Sequence, residues 1–189
     1  MNDQQPIQYL TNELFLENAR RHRGGHWANA EKRWHYHQRA IEIVQGLSLR
    51  SAGEVLEIGT MGASLVIGSD TLDYGVAWPR GPQQATYFHD ARVVPWPIED
   101  KKYECLVALR VFQHLVPKQR ECFAEAKRVA RNVLILVPSQ YKTDAMKAHE
   151  TGPVTADQFR EWNGGRTATL ALPLQSWGTL YLWRERDFG

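Results

Sequence analysis

The chain has 189 residues, 43% of them hydrophobic and 23% charged, with a formal net charge of +2. These values suit one globular domain with its own core, and so small a positive balance gives no electrostatic reason to expect a nucleic-acid partner. The opening MNDQQPIQYL has no basic-then-apolar leader, and no apolar run nears the ~20 residues of a membrane span, so a cytoplasmic protein without membrane contact is expected.

Residues 8–22 carry helical periodicity at Leu10, Leu14, Leu16 and Ala19, then a basic cluster, Arg20-Arg21-His22-Arg23, and a Gly24-Gly25 break. A second helix is expected over 29–45, with Trp34, His37, Ile41 and Val44 at helical spacing and Gly46 as its stop. The first strand is expected at 54–58, the second at 71–73, a weak third at 86–88 and a fourth at 105–109. That fourth run is apolar throughout, as for a strand buried on both faces. A helix follows over 117–130, with Phe123, Ala126 and Val129 inward. The run NVLILV at 132–137 is the fifth strand, and 155–162 a short helix. Residues 167–172 and 178–183 read as an antiparallel pair. Strands alternating with helices predict a doubly wound, Rossmann-like α/β sandwich, mostly parallel with a C-terminal antiparallel hairpin. The whole chain, 1–189, is expected to form one domain, an α/β core at 54–189 under an N-terminal helical lid at 1–47. Cys105 and Cys122 fall in a buried strand and helix, as small core residues in a reducing compartment.

The most informative stretch, 53–74, reads GEVLEIGTMGASLVIGSDTLDY. A dinucleotide site uses G-x-G-x-x-G, whereas this chain has G-x-x-G-x-S, and it has no GxxxxGK[ST] phosphate loop. Ligands of open α/β sheets sit beyond the carboxyl ends of the strands. The first strand brings Glu57, Gly59, Thr60, Met61 and Gly62 there; the second brings Asp73 and Tyr74. Asp90 and Ala91 follow the third, and Arg110, Val111 and Phe112 the fourth. Two acids at successive strand ends suit a ribose diol and an exocyclic amine. Gly59 and Asp73 are only 14 positions apart, so the segment between them is too short for a crossover helix, which needs about a dozen residues. Leu65-Val66-Ile67 then reads as a turn or helical stub, or as a strand that would make Asp70 the rival of Asp73. Asp73 is preferred, since Gly68-Ser69-Asp70 reads as a turn.

The seven histidines show no metal-ligand spacing, and His35 and His37 fall on different helix faces; no metal is expected. His114, after the fourth strand, and His149, in the long stretch after the fifth, are the candidate general bases. Each competes with a packing or capping role. The segment from Arg20 to Trp27 reads as a hinge; the competing readings are a solvated basic face and a weak contact with phosphate.

The first motif, then HDARVVPWPIEDKKYECLVALRVFQHL, then FAEAKRVARNVLILVP, together resemble class I S-adenosylmethionine-dependent methyltransferases over roughly residues 54–140. The resemblance implies S-adenosylmethionine as cofactor. Gly59 and Gly62 would let the backbone approach its methionine part, Asp73 would bind the ribose, and Asp90 and Ala91 would lie near the adenine. Arg110–Phe112 would line it from the fourth strand. The implied activity is methyl transfer to a small-molecule acceptor of natural-product, sugar or metabolite type. The alternatives are a cofactor-binding partner or regulatory protein without transfer, and an RNA methyltransferase, which rests on Arg20–Arg23. A homodimer is left open.

Overall fold

In the computed structural model, residues 6–21, 30–60, 62–74, 85–138 and 152–189 are described. The longest apolar runs take the middle of the sheet. In β1 (Val55–Ile58) every residue is buried, as are Cys105–Ala108 of β4 (Tyr103–Leu109) and Val133–Val137 of β5 (Ala130–Val137). Shorter, partly exposed strands flank them: β2 (Asp70–Asp73) and the two-residue β3 (Tyr87–Phe88) on one side, β6 (Leu170–Pro173) and β7 (Thr179–Arg184) on the other.

The sheet order is β3-β2-β1-β4-β5-β7-β6. The first five of these pair in parallel, with Leu56 opposite Asp70, Val55 opposite Cys105 and Leu106 opposite Val133. β7 alone runs the other way, inserted between β5 and β6. The chain winds outward from β1 to β3, then returns to β4 on the other side of β1. Crevices for ligands open at such a reversal, beyond the carboxyl ends of β1 and β4. The doubly wound fold is therefore as expected, with its final antiparallel pair. β2 begins one residue early, at Asp70.

The two faces are covered differently. One packs Leu56, Ile58, Leu72, Leu106, Val133 and Ile135 against α3 (Gln119–Val129), α4 (Ala156–Trp162) and Trp96. Phe123 lies at its centre, ringed by Phe112, Phe159, Trp162 and Trp183 at centroid distances of 5.0–6.4 Å. A capping box starts α4: Gln158 N–H donates to the Thr155 hydroxyl, and Thr155 N–H to the Gln158 side chain. The other face presents Val55, Cys105, Val107, Leu134, Leu136 and Leu180. It is covered by α1 (Asn12–Arg21) and α2 (Ala30–Gln45) through Phe15, Ala19, Ala40, Ile41 and Val44.

The N-terminal helices are a layer of the sandwich, because the short β1–β2 connection leaves that face bare. Both cysteines are free and buried, and burial pushes the Cys122 thiol up to about 12. No helix among the described residues is long and apolar enough to cross a membrane.

Removing the hub of the aromatic cluster should cost most on this face. Phe123→Ala is expected to lower unfolding stability by about 3–5 kcal/mol, read as a shifted urea midpoint at unchanged slope; a loss below 1 kcal/mol would show that the cluster is not a packed unit.

Candidate functional site

The site is built around a connection too short to fold as a helix. Residues 59–69 instead hang from one buried carboxylate. Glu57 is 3% exposed. It accepts hydrogen bonds from the backbone N–H of Leu65 (2.8 Å) and Val66 (2.9 Å) and from the Ser69 hydroxyl (2.9 Å). On the outer side, Tyr9 and Val66 form an antiparallel bridge. Leu10 N–H donates to the Leu65 carbonyl (2.9 Å), and Ile67 N–H to the Gln8 carbonyl (2.9 Å). The segment is thus neither a helical stub nor a sheet strand, but a loop clamped from both sides. Glu57, expected among the ligand-binding residues, has both oxygens engaged by this loop. Burial pushes its carboxyl up to about 7, against the opposing pull of those three donors.

Asp70 and Asp73 separate cleanly. Asp70 opens β2 at the amino edge of the sheet, where its carboxylate accepts the hydroxyls of Tyr103 (2.6 Å) and Thr86 (3.2 Å). Asp73 closes the same strand at the carboxyl edge. Its carboxylate accepts Tyr74 N–H at 2.8 Å and its carbonyl accepts His89 N–H at 3.1 Å.

The other expected residues lie along this edge. Gly59 turns the chain at φ +64°, and a Cβ there would stand 2.8 Å from Val111 Cγ2, so the two strand ends touch through the glycine. Thr60 receives Gly62 N–H on its hydroxyl, and the Gly62 carbonyl accepts from the Asn18 amide of α1 at 2.6 Å. Met61 and His149 lie outside the described residues, as does Trp27. Asp90 grips its own neighbour: the Arg92 guanidinium holds it at 2.7–3.1 Å, Arg92 N–H adds a bond at 2.9 Å, and the pair keeps the carboxyl below its usual range. The Ala91 carbonyl accepts from the Trp96 indole (2.8 Å) and the Cys122 thiol (3.1 Å), fixing the turn. Tyr74 and Phe88 stand exposed at the rim, 6.0 Å apart.

Arg110 adopts a left-handed conformation at φ +60°, uncommon for a residue with a side chain. Its guanidinium lies 5.9 Å from the Trp177 ring and bonds the Trp177 carbonyl at 3.4 Å. Trp177 in turn meets Tyr36 of α2 at 5.4 Å. His114 ends the single turn Phe112–His114 just beyond Val111 and is exposed. His37, by contrast, belongs to the core: it stacks on Tyr36, packs tilted against Phe15, bonds the Arg33 carbonyl through Nδ1, and is lowered by burial to about 4, so it stays neutral. Among the described residues no group of His, Cys, Asp and Glu could hold a metal ion. Asn18, Arg33 and Trp177 were not anticipated. Trp177 carried a signal, as an aromatic in the turn directly before the last strand.

No family model and no curated protein matches the chain. Solved structures do. One is a complex between the Haloferax volcanii Trm112 methyltransferase activator and a methyltransferase (TM-score 0.58, 12% identity, 77% of this chain, 74% of that one). Another is the magnesium protoporphyrin IX methyltransferase of Synechocystis PCC 6803 with bound SAH (0.52, 13%, 88% and 91%). A Pyrococcus horikoshii OT3 protein matches similarly (0.52, 13%, 80% and 90%). The chain has the class I S-adenosylmethionine-dependent methyltransferase fold. At these identities the likeness establishes the fold alone.

The pH response of stability separates its two buried titrating groups. Glu57 rises from 4.5 to about 7 on folding, so its contribution is whole below about pH 4.5 and is lost as pH rises through about 7. His37 falls from 6.5 to about 4, so its contribution is present above pH 6.5 and is lost as pH falls toward 4. Glu57→Gln removes the first and keeps the second. Urea unfolding of both proteins from pH 4 to 8 should show the wild-type advantage shrinking by roughly 1–3 kcal/mol between pH 4.5 and 7. A difference that stays flat would mean Glu57 titrates normally.

Proposed function

We propose that the chain binds S-adenosylmethionine at the carboxyl ends of β1–β4 and transfers its methyl group to a small-molecule acceptor. The observation that carries this reading is the glycine turn at the switch point. Gly59 closes on Val111 with no room for a side chain, and acids follow on the next two strand ends. These residues fit an adenosyl group. Asp73 would accept from the ribose hydroxyls, the backbone at Gly59–Gly62 would lie against the methionine part, and Val111 would give an apolar wall. Tyr74 would stand at the rim. Asp90 and Ala91 would flank the adenine, with Arg92 holding Asp90 in place and sharing its oxygens with the ligand.

Bound S-adenosylmethionine supplies a sulfonium methyl with a good leaving group. The protein's part is then to align donor and acceptor and to exclude water. A base is needed only where the acceptor must lose a proton. His114, exposed at the same edge, is the described residue that would accept it; His149 is the second candidate from the sequence. The net charge of +2 supports a small acceptor over RNA.

Calorimetric titration with S-adenosylhomocysteine tests the shared premise. Binding is expected in the wild type, with a loss of about 10- to 100-fold in Asp73→Ala, the worth of hydrogen bonds to a charged group. No binding by the wild type would overturn the proposal. A labelled-methyl screen over phenols, carboxylic acids and amines then reads transfer; binding without any transfer would reassign the chain as a cofactor-binding partner protein.

A further inference from the structure

We infer that Asn18 is a positioning residue for the methionine half of the cofactor, acting through the Gly62 carbonyl; this rests on the methyl-transfer reading above. Where a crossover helix follows a glycine turn, the first turn of that helix fixes the backbone that faces the ligand. Among the described residues no helix stands between Gly62 and β2, so the turn has to be held by other means. Within it, Ala63 N–H closes on the Thr60 carbonyl (3.0 Å) and Gly62 N–H reaches the Thr60 hydroxyl (3.3 Å). Gly62 is exposed and stands at φ +80°, a region that glycine enters freely and leaves as freely. From outside the turn, the Asn18 amide donates to the Gly62 carbonyl at 2.6 Å, across 44 positions of sequence. The Gly62–Ala63 peptide is thereby held at both ends, its N–H by Thr60 and its carbonyl by α1.

The packing of α1 aims that bond. Thr11 caps the helix, with Leu14 N–H on its hydroxyl at 3.3 Å. Leu10, just before the cap, donates to the Leu65 carbonyl at 2.9 Å. Asn18 comes eight positions later, roughly two helical turns on. The helix therefore braces the loop at two places, Leu65 and Gly62. Its roll is fixed by Phe15 and Ala19, both buried in the core of that face; the Phe15 ring lies 5.7 Å from Trp34 and 4.5 Å from His37 of α2. Asn18, three residues after Phe15 and beside Ala19, is half-buried at the margin of this stripe. A donor aimed by packed neighbours loses little further freedom on bonding. Glu57 serves a different part of the loop: it holds Leu65, Val66 and Ser69, beyond the turn. The peptide that would lie against the methionine part is left to Thr60 and Asn18. A backbone fixed before the ligand arrives binds it without the cost of ordering the turn.

The test titrates the full chain with S-adenosylhomocysteine and with methylthioadenosine, which keeps the adenosyl group and the sulfur but lacks the amino-acid end. Asn18→Ala, and the near-isosteric Asn18→Asp, which cannot donate, should each weaken S-adenosylhomocysteine by about 3- to 10-fold, the worth of one hydrogen bond. Methylthioadenosine should stay within about 2-fold of its wild-type affinity, because it does not reach the turn. In the ligand-free protein, amide exchange at Ala63 should be faster in Asn18→Ala, while Leu65 and Val66, which Glu57 holds, keep their rates. An equal loss of both ligands would show that Asn18 only packs α1 onto the sheet, and would overturn the inference. So would an unchanged S-adenosylhomocysteine affinity in either variant, or an unchanged Ala63 exchange rate. Failure of the wild type to bind S-adenosylhomocysteine would instead strike the methyl-transfer reading itself.

Discussion

The structure depends on a single buried carboxylate. A parallel β1–β2 pair normally needs a helix to carry the chain back, and that helix also satisfies its own backbone. Here a short loop does the work; it pairs some of its own N–H groups, those of Gly62, Ala63 and Ser69, but not those of Leu65 and Val66. Glu57 supplies the missing acceptors, taking Leu65 N–H, Val66 N–H and the Ser69 hydroxyl. Unpaired, those buried donors would cost more than the bonds gain. The same carboxylate lies two residues before Gly59, so the residue that anchors the loop also sets where the glycine turn meets Val111.

A second consequence follows on the sheet face. Without a crossover helix, Val55, Cys105, Val107, Leu134 and Leu136 would be exposed. The N-terminal helices cover them, and residues 8–10 pair with 65–67. Among the described residues, the N-terminal segment meets the carboxyl edge through the bridge at Tyr9, the Asn18 bond to the Gly62 carbonyl and the Tyr36–Trp177 contact.

Much of the frame was legible in the sequence because it is written in periodicity. The apolar runs of β1, β4 and β5 and the inward stripe of α3 report burial directly, and their alternation implies the winding. The shortness of the 59–73 segment was also countable, and it showed that no helix could lie there. What replaced the helix was not countable. The bonds of Glu57 join residues 8–12 positions apart, and those of Tyr9 and Leu10 join residues more than 50 apart, with no local signature. The bonds of Glu57 to the loop were not foreseen for that reason: an acid before a glycine turn looks the same whether it faces a ligand or a loop. Trp177 and Arg110 likewise meet only because β7 inserts beside β5, a pairing that local pattern does not encode.

That insertion bears on how the chain comes together. β7 is made after β6, yet it is the strand that β6 needs, since β6 touches the sheet only through it. During synthesis β6 must wait unpaired until the final strand has left the ribosome and slotted against β5. Assembly of this edge is joint: β6, β7 and the Trp177 turn between them add to the sheet together, through the pairing of β7 with β5.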